Sequence, residues 1–534
     1  MKISLFSGDM KDHERQDLCM LHSMFRHIVA VATAAVLVVL SCTTACRHAD
    51  TPSGKPDDFS IEGFLEPPPI DVTALTRTNQ TEIVIANRVT KIGCNAFSNY
   101  KDVTSIFIPA SVTEIQNNAF EGCTSQTNLL VDSENTIFSS KNGVLFNKEQ
   151  TRLILCPNGM SGSYTIPDGV TEIESCAFKA CTSLTSITIP EGPTHIGSSA
   201  FSGCTRLKSI AISSSVVDIN SNAFHDCTDM TNVLVSADNA KFSSADGALF
   251  NKDRTRLILC PKGKSGTYTL PAEVTKIEPG ALGDCTGLTN ILVDANNAAF
   301  SSVDGVLFDK DRTTLILCPR GRSGSYTIPA GVTEIGNGAF RDCVKLTSVT
   351  IPEGVTKIGS YAFSYCRYLN GIRIPNSVNA IGEGAFWGCQ WLKTATLPKG
   401  ITTVEKLTFS ACISLESITI PEGVTRIGEL AFYSCGSMMN ITIPASLTEI
   451  GDRAFYDCAA MTDFVASGSI DRIGSFAFSG CSGLTNFTTS GSIDRIGFGA
   501  FSGCTGLTSI PKGVTDYFGP LIPQRDRPGR NRPL

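Results

Sequence analysis

The chain has 534 residues, with 44 Lys and Arg against 50 Asp and Glu, a net charge of −6. That balance excludes the dense basic face of a nucleic-acid binder, and 42% hydrophobic residues against 18% charged excludes a chain disordered throughout. With 47 Gly, 25 Pro and many β-branched residues, the composition favours strands and turns over helices.

Residues 28–40 read IVAVATAAVLVVL, an uncharged run of 13 preceded by Arg26. A bilayer span takes about 20 residues, so this run fits the core of a signal peptide instead. Val39-Leu40-Ser41-Cys42 follows the pattern of a bacterial lipobox: an apolar pair, a small residue, then the cysteine that is lipidated and becomes the mature N-terminus. Cys46 is the rival acceptor, and ordinary secretion with cleavage near Ala45 is the plainer alternative. Met20 and Met24 compete with Met1 as the start, because the first 19 residues are polar and carry both charge signs. The expected organisation is a lipoprotein-type signal peptide over 1–41, a tether rich in Pro, Asp and Thr over 42–82, a folded body over 83–515, and a Pro/Arg-rich disordered tail over 516–534.

The body is an internal repeat, the feature to seek first in a chain of this length. Phe97, Phe120, Phe178, Phe201, Phe224, Phe340, Phe363, Phe386, Phe409, Phe432, Phe455, Phe478 and Phe501 occupy one slot, with Leu282 as the exception. Neighbours lie 23 residues apart, or 58 apart at three places, and a Cys follows three residues after 13 of these 14 positions. One unit is Leu346 to Leu369, LTSVTIPEGVTKIGSYAFSYCRYL. Leu346, Val349 and Ile351 face inward in a strand that Pro352 ends, because proline has no N–H for the ladder. Glu353-Gly354 turns the chain, VTKIG forms a second short strand, and Ala362, Phe363 and Cys366 complete the inward set. Gly359 recurs at its slot, yet Gln116, Glu174 and Glu405 replace it elsewhere, so that slot does not demand left-handed backbone.

Such a unit cannot bury its apolar face alone. Stacked copies can, as parallel strands about 4.8 Å apart in some 17 coils. The expected fold is therefore a β-rich solenoid with parallel strands and a convex side of short β or 3₁₀ pieces. The three 58-residue steps add 35-residue units at 138–167, 242–271 and 300–329, where GVLFNKEQTRLILCP reads as a hairpin that projects from or widens the coil.

LTSITIPEGVTRIG followed by AF and C at 415–435, with its equivalents, resembles the BspA-like leucine-rich repeat family of bacterial surface proteins, over about residues 83–515. The resemblance implies a right-handed leucine-rich-repeat superhelix, a cell-surface address and an adhesin-like role toward host matrix proteins, glycans or partner cells. It brings no catalytic residue, cofactor or metal. SGSIDRIG replaces IPEGVTRIG in the last two units and removes the strand-ending proline.

Candidate chemistry is sparse. The cysteine slot reads as buried free thiols, since in-register neighbours have parallel Cβ directions unsuited to bridging. The Cys176/Cys181 spacing is at most a weak metal signal. His195 and His225 fall in slots held elsewhere by Glu, Lys, Arg, Ser or Tyr, as solvated surface residues do. No nucleophile elbow, zinc-protease motif or phosphate loop occurs, and GKSG at 263–266 lacks the upstream glycine of one. The expectation is a protein that is not an enzyme. A structural surface coat, or an enzyme borne on repeats, is the alternative.

Function then falls to the outward positions. Thr350, Arg373, Thr396 and Thr419, with Thr188, Thr442, Phe107 and Ala211, line the strand face; the apolar and charged members break a flat threonine row. Tyr361, Tyr365, Tyr368, Trp387 and Trp391 cluster on adjacent coils as a candidate binding hot spot. The expected location is an exported, lipid-anchored surface lipoprotein with extracellular protein partners and no nucleic acid.

Overall fold

A computed structural model describes residues 81–507 apart from 117 and 221, together with the backbone of Leu75–Arg77, all in one compact unit, Pro67–Leu534. The signal peptide, Cys42, most of the expected tether and the tail lie outside the described residues. Leu75–Arg77 falls within the stretch read as tether and pairs antiparallel with Glu82–Ile85 at the start of the body.

The described body is a β-solenoid, and no helix occurs among these residues. Each 23-residue coil adds one strand to each of two parallel ladders. In the first, Gly371–Arg373, Thr394–Thr396, Ser417–Thr419 and Asn440–Thr442 pair in parallel, each residue with the one 23 positions on. In the second, the two-residue strands Lys357–Ile358 and Ala380–Ile381 pair in the same way. Strict alternation covers only the end of the first strand: Val349 and Ile351 are buried either side of exposed Thr350, while Leu346 lies three residues before Val349. The pairing of Gly324–Thr327 with Leu346–Thr350 carries a register shift at Gly324/Ser325 that absorbs this odd step.

The third side holds neither 3₁₀ nor β structure but a regular chain of turns. Ala362, Ser364 and Cys366 donate their N–H groups back to Gly359, Tyr361 and Phe363, while Tyr361, Phe363 and Tyr365 donate to Glu383, Ala385 and Trp387 of the next coil. This alternation needs left-handed backbone at two positions flanking the Phe, met by Tyr361 (φ 56°) and Tyr365 (φ 57°) here and by Leu407 and Ala411 two coils on. Gly359 is not among the left-handed residues. A Cβ there would stand 2.6 Å from the Asn337 amide nitrogen, so glycine serves the close approach of two coils.

The interior is a set of columns. Successive Phe rings stack nearly parallel, for example Phe340 on Phe363 at 4.8 Å and Phe363 on Phe386 at 5.3 Å, close to the strand spacing. Beside them Cys366, Cys389 and Cys412 donate S–H to the carbonyls of Phe340, Phe363 and Phe386 at 3.0 to 3.2 Å.

The 35-residue units widen the coil from within. Phe242–Ala245, Ala248–Asn251 and Arg256–Leu259 form an antiparallel meander, and its last strand pairs in parallel with Lys276–Ile277, so it takes the place of a short strand in the second ladder. The middle strand is a partition. Leu249 packs into the core on its N-terminal side (residues 144–249), and Ala248 and Phe250 into the one on its C-terminal side (248–307). The equivalent strands at Val144–Phe146 and Val306–Phe308 divide the interior in the same way.

Candidate functional site: the outward faces

On the strand face, Arg373, Thr396, Thr419 and Thr442 form one exposed row in parallel register, with Thr350 exposed on the preceding coil. Arg373 Nη2 lies 3.5 Å from Glu353 Oε1. The row turns apolar where each meander begins. Leu130, Leu234 and Leu292 stand in the same outward slot of the strands that precede the three long units, and Leu234 is 54% exposed. A shallow, open depression of about 300 Å³ lies there, lined by Ile189, Ala211, Ile212, Ser213, Leu234, Val235 and Ser236. The sequence signal for these leucines was present: NLLV, NVLV and NILV carry an apolar residue where the plain units carry threonine.

The expected aromatic cluster divides in two. Trp387 is only 6% exposed, which corrects its reading as a surface anchor. It lies on the turn side with Tyr361 and Tyr365, at ring distances of 6.2 and 4.7 Å. The reason is a complementarity between neighbouring coils. In the coil of Trp387 both left-handed positions are glycine, Gly384 and Gly388, and the Tyr361 and Tyr365 rings lie over them; a Cβ on Gly384 would meet the Tyr361 ring at 2.5 Å. The half-buried tyrosines and the indole thus clamp two coils together, and burial pushes the Tyr365 hydroxyl pKa up. Tyr368 and Trp391 are the exposed part, at 48% and 55%, with rings edge to face at 5.3 Å.

The thiols carry no disulfide among the described residues. Burial raises Cys123 to about 11 and Cys389 and Cys435 to about 12, so they stay protonated and unreactive at neutral pH. His195 is exposed on the second ladder between Glu172 and Asp218, with Nδ1 2.7 Å from Thr194 Oγ1. His225 is exposed beside Asp226. Neither meets a nucleophile or a second titratable group in a cleft. No group of three or more His, Cys, Asp or Glu among the described residues is placed to hold a metal.

The long units contribute cations that tie coils together. Lys262 bridges Asp226 at 3.2 Å and Asp284 at 2.8 Å, and Arg320 bridges Asp284 at 2.9 Å and Asp342 at 3.1 Å. Burial raises the Asp284 carboxyl, but Lys262 and Arg320 outweigh it and hold the group below its ordinary range. Asn158 occupies the corresponding place in the first long unit, donating to Lys179 O and accepting from Gly122 N–H.

The profile of the BspA type leucine-rich repeat region matches residues 69–164, 161–252, 322–437 and 402–516, well over half the chain. The chain belongs to the BspA-type leucine-rich repeat family. Similar solved structures are also leucine-rich repeat proteins. One from Eubacterium ventriosum is 22% identical, covers 70% of this chain and 95% of its own, and superposes with a TM-score of 0.48. A leucine-rich cell surface protein from Faecalibacterium prausnitzii is 27% identical, with 78% and 86% covered and a TM-score of 0.34. The pneumococcal vaccine antigen PcpA is 19% identical, with 74% and 82% covered and a TM-score of 0.30. No curated protein sequence matches significantly. In BspA-type terms, the Phe and Cys slots are the repeat's structural signature, and what distinguishes this member lies in its outward residues.

Proposed function

We propose that this protein is a lipid-anchored bacterial surface scaffold that binds extracellular proteins or glycans without catalysis. The observation that carries the reading is the in-register row Arg373, Thr396, Thr419 and Thr442, exposed on consecutive coils of a rigid stack. A row of this kind offers a broad contact surface whose chemistry changes coil by coil at no cost to the fold. VLSC after the 13-residue apolar run supports the anchor at Cys42. Family membership supports a surface address.

Two measurements test this. Residues 83–515 are screened against matrix proteins and glycans, and the Thr396→Arg variant is screened beside them. Saturable binding that this variant weakens is the expected result; no binding to any partner favours a coat component. In cells, Cys42→Ala should move the protein from the membrane to the soluble fraction and abolish incorporation of labelled palmitate. Labelling that persists in the variant overturns the anchor.

A further inference from the structure

Four exposed apolar side chains lie on four consecutive coils in one loop, the segment between the cysteine and the first strand. They are Tyr368, Trp391, Ile413 and Met439, each between 48% and 55% exposed. The loops stack in register: Trp391 N–H donates to Arg367 O at 3.0 Å, Ser414 N–H to Gln390 O at 3.2 Å, and Ser437 N–H to Ile413 O at 3.2 Å. The remaining exposed large apolar residues, such as Leu234 and Val465 on the strand face, lie outside this loop. The rim is a line of apolar contacts about 14 Å long, three steps of about 4.8 Å.

The charges beside it are one-sided. Lys345, Arg367 and Lys393 occupy the same loop, with Glu416 as its acid. Lys393 lies 3.7 Å from Glu416, whereas Lys345 and Arg367 enter no ion pair among the described residues. In a chain of net charge −6 this is a local excess of positive charge, concentrated at the Tyr368–Trp391 end.

We infer that this rim docks an extended peptide segment of a partner protein, with an alternating apolar run and acidic residues at one end. The inference rests on the scaffold reading above and names the chemistry of its partner. An extended chain advances about 3.4 Å per residue, so side chains at i, i+2 and i+4 span about 14 Å, the length of the rim. Trp391 and Tyr368 give large, stiff contact area at the centre of the positive end, where the acidic residues are held. The absence of a basic counterpart on this loop excludes a basic segment by like-charge repulsion.

The test uses the full chain and two dye-labelled peptides, Glu-Glu-Phe-Thr-Leu-Thr-Leu and its counterpart with two lysines in place of the glutamates. Binding is read by anisotropy, and acrylamide quenching reports Trp391, since Trp387 is buried. The acidic peptide is expected to bind, to shield the accessible tryptophan, and to bind about tenfold more weakly to Trp391→Ala and to Arg367→Glu. Circular dichroism establishes that both variants stay folded, and Arg367→Lys should retain binding. Equal binding of the lysine peptide, or unchanged binding to both variants, overturns the inference. The matrix and glycan screen is read separately, so the scaffold reading stands or falls on its own result.

Discussion

At the scale of single residues, the buried polar positions decide more than the apolar ones. Gln126 stands three residues after Cys123, where other units place Leu or Met, and its side chain is fully buried with both Oε1 and Nε2 unpartnered. Gln126→Leu should therefore stabilise the protein by about 1–2 kcal/mol, measured by denaturant unfolding, because the unpaired carboxamide loses more on burial than it gains. The thiols set an alkaline limit. Cys389 and Cys435 titrate near 12 in the folded chain against 9.0 unperturbed, because burial disfavours the thiolate. A raised folded pKa means the native state holds protons that the unfolded state releases. Stability from these groups is complete below pH 9 and is lost as pH rises from 9 toward 12. The melting temperature should fall over that window, and less steeply in the Cys389→Ala, Cys435→Ala double variant; equal slopes would refute the assignment.

At the scale of elements, the long units depend on one asparagine each. Asn239 is fully buried, its Nδ2 donating to Ser213 O and Val216 O at 2.8 Å and its Oδ1 accepting from Lys241 and Phe242 N–H at 2.9 and 2.7 Å. Asn135 and Asn297 repeat the pattern. All four hydrogen-bonding capacities are used, tying the start of each meander to the coil before it. Asn239→Asp removes both donors and sets a carboxylate against two carbonyls. It should cost about 3 kcal/mol at neutral pH and recover part of that in acid, read by melting across pH. A pH-independent loss would mean the contact is not electrostatic. The first hairpin of each meander was legible too. Asn142-Gly143, Asp246-Gly247 and Asp304-Gly305 all adopt left-handed backbone, the signature of a two-residue hairpin turn. Reading GVLF onward as the hairpin, as the sequence invites, misses the FSS strand before it.

At the scale of the whole molecule, each coil touches only its neighbours, so stability accumulates from successive interfaces. Phe363 is fully buried between Phe340 and Phe386, whereas Phe501 stacks on Phe478 in the last described coil and keeps some exposure. Phe363→Ala should cost about 4 kcal/mol and Phe501→Ala clearly less, compared by urea unfolding. Similar losses at both sites would contradict nearest-neighbour stacking. The meander partitions add a further consequence: a lesion at Phe363 should leave hydrogen-exchange protection around Phe201, which lies in a separate core, nearly unchanged.

The repeat, its strand faces, the thiol column and the family were legible in the sequence, because inward and outward slots recur at fixed spacing and burial selects side chains slot by slot. The left-handed turns were not, since Tyr361, Leu407 and Leu430 carry no local preference for that backbone; hydrogen bonds to the next coil impose it. Nor was the division of the aromatic cluster. Trp387 and Trp391 lie four residues apart in one coil, and what separates them is the neighbouring coil, whose Tyr361 and Tyr365 rings enclose the first and leave the second in solvent. Exposure is a property of adjacent coils together, and only their stacking decides it.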